Sequence, residues 1–97
     1  MELDERKIPV MGPVAAACEI LGLDPLYVAN EGRLAAFVAA EAADAAYDIM
    51  KKHPAAVGPA IVGRVAKEPA GTVILNNPFG GGRIVDLLSG EQLPRIC

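Results

Sequence analysis

The chain has 97 residues, enough for one domain and too few to bury more than a modest core. With 53% hydrophobic but only 4% aromatic residues, that core must be built from Ala, Val, Ile and Leu, a composition that excludes a disordered chain. A net charge of −3 without a Lys/Arg cluster lacks the electrostatic footprint of a nucleic-acid binder, and no apolar run reaches the roughly 18 residues that cross a membrane.

In chain order, MELDERKIPV reads as a charged, Pro-containing lead-in, a linker over residues 1–12 and not a core element. Its acidic start lacks the basic region of a secretory signal, so a cytoplasmic protein is expected. From Pro13, the residues Val14, Ala17, Cys18 and Leu21 recur at helical spacing, with Gly22 placed to close the helix. In LYVANEGRLAAFVA, apolar runs flank Asn30, Glu31 and Gly32; two strands around a tight turn fit, and Leu26 to Ala29 fits a helical turn equally well. Glu41 to Lys52 is a second predicted helix, with Ala42, Ala45, Ala46, Ile49 and Met50 inward and Asp44, Asp48 and Lys52 outward. His53 and Pro54 stop it. AIVGRV and TVIL are then two strands joined through KEPAG, NNPFGGG is a loop, and RIVDLL is a last strand before the tail. Residues 13–89 therefore form an α+β domain, and residues 90–97 a flexible tail.

Candidate chemistry is sparse. The two cysteines are expected as free thiols, Cys18 as a small hydrophobe on the helix stripe and Cys97 on an arm that reaches roughly 23–25 Å from Gly90. An ordinary thiol titrates near about 8.5, and the adjacent terminal carboxylate pushes Cys97 upward, so its thiolate has to be generated by whatever site receives the tail. Glu31 is either a solvated turn residue or a base for proton transfer. Gly80, Gly81 and Gly82 with Arg83 could cradle an anion or simply permit a turn, since neither a P-loop lysine nor dinucleotide-binding spacing is present. His53 suits the end of a helix dipole, and one His with two distant Cys is no zinc set, so no metal site is expected. Leu93, Pro94, Arg95 and Ile96 are candidate partner contacts: Pro94 stiffens the arm, Arg95 can pair with phosphate or an acidic surface, and Leu93 and Ile96 are apolar anchors.

DPLYVANEG, GGGRIVDLLSGEQLP and the PRIC ending together make the chain resemble the carboxy-terminal domain of the HypE family of nickel–iron hydrogenase maturation proteins. That family is similar to the aminoimidazole ribonucleotide synthetase (PurM) superfamily, and the resemblance implies its layered second domain, a mixed sheet packed with helices. It implies that Cys97 accepts a carbamoyl group from a HypF-like carbamoyltransferase. The thiocarboxamide is then dehydrated with ATP to a thiocyanate, and the cyanide is passed to iron on a HypC–HypD complex during metal-centre assembly. For a complete protein it further implies an amino-terminal domain with an ATP and magnesium site and a self-dimer through that domain. This chain begins at the linker, so no cofactor and no ATP turnover are expected of it alone. Glu31, in NEG, falls where the family would use a carboxylate for proton transfer. Two other readings stand beside this one: a stand-alone protein-binding module, and the second domain of another ATP-dependent enzyme of the superfamily.

Overall fold

The computed structural model describes residues 1–87. They divide into a sheet unit, Met1–Pro9 with Ala36–Val85, and a helix unit that contains Val10–Ala35 with Asp86 and Leu87. The α+β class expected from the residues is what the structure shows: a mixed four-stranded sheet and two α-helices.

In the sheet unit, β1 (Glu2–Asp4), β2 (Gly63–Arg64), β3 (Ile74–Asn76) and β4 (Gly82–Ile84) lie in the order β2-β1-β3-β4. The segment read as a lead-in thus supplies a central strand, which corrects the expectation that it is not a core element. Its three strand residues carry two charges and gave no apolar period to detect; pairing on both sides makes them a strand. β1 runs antiparallel to β2, with Leu3 opposite Gly63, and parallel to β3, with Leu3 opposite Leu75. The parallel ladder continues one residue outward, where Ile74 N–H donates to the Met1 carbonyl at 2.8 Å. A parallel pair requires a long crossover, and both helices fall within the one joining β1 to β3. Leu75, opposite Leu3, is 2% exposed and anchors the unit's apolar interior.

Gly63 is required where it stands, because a Cβ there would collide with the Glu2 carbonyl and come within 2.8 Å of the Leu3 side chain. Beside it, Arg64 closes the outer edge by donating to Glu2 Oε2 from Nε at 2.9 Å and approaching it with Nη2 at 2.8 Å. AIVGRV and TVIL do contain strands, as expected, but β1 lies between them. RIVDLL contributes only the end of β4, antiparallel to β3, after which Val85 N–H adds a last bond to the Val73 carbonyl.

The second helix, α2, spans Ala43–Lys52 after a 3-10 turn at Ala40–Ala42. Its half-buried face is Ala43, Ala46, Tyr47 and Met50, while Ala42, Ala45 and Ile49 are exposed, so the predicted inward stripe is corrected by a small rotation. Tyr47 explains the rotation. The run of alanines left the apolar face ambiguous, and the ring, beside which Lys51 Nζ sits 4.8 Å from the centroid, is the bulkiest group the helix can cover.

In the helix unit, α1 (Gly12–Leu21) starts with Pro13 in its first turn and ends at Gly22, whose φ of 68° only glycine adopts freely. Leu23 N–H returns to the Cys18 carbonyl at 2.8 Å and Gly22 N–H to Glu19 at 3.4 Å, the Schellman closure that satisfies the last carbonyls. Of the expected stripe only Cys18 is buried, at 5% exposure; Val14, Ala17 and Leu21 line an open apolar groove with Pro13, Leu23 and Val28.

The pair of strands expected in LYVANEGRLAAFVA is corrected. Pro25–Tyr27 form a 3-10 turn, the helical alternative, and residues 28–39 contain no strand. Asp24 decides this locally: its Oδ1 accepts from Leu26 N–H at 2.9 Å, and Pro25 fixes the next φ, so the turn is capped before any strand pairing can compete.

Candidate functional site

Cys97 and the contact residues Leu93, Pro94, Arg95 and Ile96 lie outside the described residues, as does the tail expected over 90–97. What the structure does define is the chain leading to them. Tyr27 Oη donates to the Asp86 carbonyl at 2.8 Å, and Leu87 N–H donates to Asp86 Oδ1 at 2.7 Å. The 3-10 turn built by Asp24 and Pro25 therefore aims a tyrosine hydroxyl at the root of the cysteine-bearing segment, and ties two stretches 59 positions apart. Sequence reasoning missed Tyr27. The only signal was its place at the end of an Asp-Pro turn, and nothing in one dimension says where that hydroxyl reaches.

Glu31 is exposed, in a bend followed by Gly32 at φ 72°, and its neighbour Asn30 donates from Nδ2 to the Val28 carbonyl at 3.3 Å. Among the described residues no hydrogen bond or ion pair holds the Glu31 carboxylate. In this structure it stands in water, not in a closed pocket.

The glycine loop is organised by Asn77. Phe79 N–H and Gly81 N–H both donate to Asn77 Oδ1, at 2.9 and 3.0 Å, while Asn77 N–H donates to the Gly81 carbonyl at 2.8 Å. Two amides thus converge on one acceptor, as a cradle would turn them on an anion, and the carboxamide oxygen holds that position. Gly82 and Arg83 belong to β4. Gly80 takes φ 85°, and a Cβ on Gly81 would lie 2.8 Å from Asn77 Nδ2, so this tight turn needs both glycines.

Cys18, buried on α1, has the packing role expected of it. His53 ends α2, and its Nδ1 accepts from Ala55 N–H at 3.2 Å. At the end of β1 the Arg6 guanidinium bonds the Asp4 carboxylate at 3.2 Å and holds Asp4 below the usual carboxylate range. Among the described residues no group of three His, Cys, Asp or Glu side chains could hold a metal ion. These residues therefore do not fit the magnesium of an ATP site. No helix among them is long and apolar enough to cross a membrane.

The chain is 57% identical over its full length to the carbamoyl dehydratase HypE of Azotobacter vinelandii, of which it spans 28%. Among solved structures, a hydrogenase maturation protein HypE in complex with ATP matches 99% of this chain and 30% of its own, at 38% identity and a TM-score of 0.83. A HypE–HypF complex matches 88% of this chain and 27% of its own, at 38% identity and a TM-score of 0.80. The family model for the AIR synthase related protein, C-terminal domain, matches residues 1–76, from the first residue through β3. The order β2-β1-β3-β4, with the parallel β1–β3 pair at its centre, is thus the sheet of a chain that belongs to the AIR synthase related protein, C-terminal domain family.

Proposed function

We propose that this chain is the acceptor part of a hydrogenase-maturation carbamoyl dehydratase of the HypE type, with Cys97 as the group that receives the carbamoyl. The observation that carries the reading is 57% identity along the whole chain to a carbamoyl dehydratase HypE. The Cys97 thiolate attacks the carbamoyl carbon presented by a HypF-like partner. A C–S bond forms, the bond from that carbon to the donor's leaving oxygen breaks, and the thiol proton is lost to a base in the receiving site. The partner follows from the HypE–HypF complex to which this chain is similar. Dehydration to the thiocyanate uses ATP, as the similar ATP-bound HypE suggests, and is assigned to no residue of this chain. Glu31 as a proton-transfer group, transfer of cyanide on HypC–HypD, a dimer formed through another domain and a cytoplasmic setting complete the proposal.

The fold supports a division of labour. Dehydration has to exclude water, whereas receiving and delivering the group require the sulfur to meet other proteins. A cysteine placed on a segment whose root is held by Tyr27 meets both demands by moving between sites. The test is the intact mass of the chain after incubation with a HypF-type carbamoyltransferase, carbamoyl phosphate and ATP. The carbamoyl adduct is expected on the C-terminal peptide, absent from Cys97→Ala and Cys97→Ser and retained by Cys18→Ala, because a hydroxyl of far higher pKa is a much poorer nucleophile than a thiol. An adduct on Cys18, or full labelling of Cys97→Ala, would return the chain to the binding-module class.

A further inference from the structure

β4 ends at Ile84, after which Val85 N–H still reaches the Val73 carbonyl at 2.9 Å. One residue later the chain belongs to the helix unit: Asp86 groups with Val10–Ala35, and its carbonyl accepts from Tyr27 Oη at 2.8 Å. The group that holds it is itself well fixed. Tyr27 closes the 3-10 turn begun at Pro25; Asp24 Oδ1 caps that turn through Leu26 N–H at 2.9 Å, and Tyr27 N–H donates to the Asp24 carbonyl at 3.0 Å. Two hydrogen bonds and a proline thus set the backbone from which the ring projects. Tyr27 is half-buried, and packing alone would be served by the ring of a phenylalanine; the hydroxyl goes to one main-chain carbonyl 59 positions away.

We propose that Tyr27 is a positioning residue for carbamoyl acceptance, an inference that rests on the function proposed above. With the bond made, the segment leading to Cys97 sets out from a carbonyl fixed in the helix unit; with it broken, the hold on the chain falls back to Val85 in the sheet unit. The two cases differ by a residue or two of chain, so Tyr27 sets the starting point and direction of the segment and not its reach. A docked carbamoyl donor accepts the sulfur from a narrow range of approaches, and a displaced starting point lowers the fraction of docked encounters that are productive. The loss therefore falls on turnover after docking. The hydroxyl keeps its proton throughout, acts as a donor to Asp86 alone, and is not offered to the partner.

The test uses the full protein that carries this chain with a HypF-type carbamoyltransferase, carbamoyl phosphate and ATP. It reads the rate at which label reaches the Cys97 peptide as the carbamoyltransferase is varied and, separately, the rate at which iodoacetamide alkylates Cys97. Tyr27→Phe is expected to lower kcat for labelling by about threefold, the scale of one neutral hydrogen bond, with the KM for the carbamoyltransferase and the alkylation rate within about 1.5-fold. Asp24→Ala uncaps the turn but leaves the hydroxyl, and should lower kcat by about twofold. The double variant should lose no more than Tyr27→Phe alone, because both changes act through one hydrogen bond. Equal kcat in the unmodified protein and Tyr27→Phe overturns the proposal, as do losses that multiply in the double variant. A raised KM overturns it in favour of a partner contact, and a parallel fall in alkylation overturns it in favour of an altered thiol. Label that never reaches Cys97 in the unmodified protein sinks the acceptor reading and this inference together, whereas labelling of Cys97 that ignores Tyr27 sinks this inference alone.

Discussion

Among the described residues the two units each bury one side chain, and they do so by opposite means. Leu75 lies in β3 between β4 and β1, the latter some seventy positions away in sequence, and the bonds around it join residues as far apart as Met1 and Thr72, whose ammonium and carbonyl meet at 2.7 Å. Cys18 borders an apolar groove lined by neighbours between Pro13 and Val28, on a helix closed by its own glycine. In the helix unit the Tyr27–Asp86 bond is one that reaches far along the chain. The difference teaches that the sheet unit stands or falls as a whole, whereas the helix unit can keep its shape locally and still let go of the segment that leads to Cys97.

The largest expected effect tests the sheet. Leu75→Ala should cost about 2–5 kcal/mol in urea unfolding and release amide protection in β1, β3 and β4 together, and a loss confined to β3 would break the claim of a single cooperative sheet. Next comes the tie between helix turn and tail root. Tyr27→Phe removes one hydrogen bond and should cost about 0.5–1.5 kcal/mol, with faster amide exchange at Leu87 and unchanged exchange in α1. If α1 loosened too, the helix unit would be as cooperative as the sheet. The smallest effect is electrostatic. Because Arg6 lowers the Asp4 carboxyl, the ionised form contributes stability above the unfolded value of about 3.9, and this is lost as pH falls through the lower folded value. Asp4→Asn should flatten that acid limb of a thermal-melt series without altering the melt at pH 7 by more than a small amount, as befits an exposed pair.

The same contrast explains what could be read from one dimension. Pro13, the apolar spacing and Gly22 specify α1 within ten residues, so its limits were legible. Asp24 and Pro25 specify a turn just as locally, and the apolar run after it is what kept the two-strand alternative open beside the helical one. β1 was illegible because Glu2, Leu3 and Asp4 become a strand only through partners some sixty and seventy positions away, at Gly63 and Ile74. The candidate site divides similarly: PRIC marks Cys97 by its resemblance to a family, while Tyr27 and Asn77 emerge only from the contacts their side chains make.

Asn77 also carries a consequence for chemical ageing. An asparagine usually deamidates when the next residue's amide nitrogen loses its proton and attacks the side-chain carbonyl to close a succinimide. Here the next residue is Pro78, whose ring nitrogen has no proton to lose, so that route is closed at the one carboxamide on which the turn depends. The same succinimide also opens to an isoaspartyl link that inserts an extra methylene into the backbone, so closing the route keeps the main chain of this turn in register.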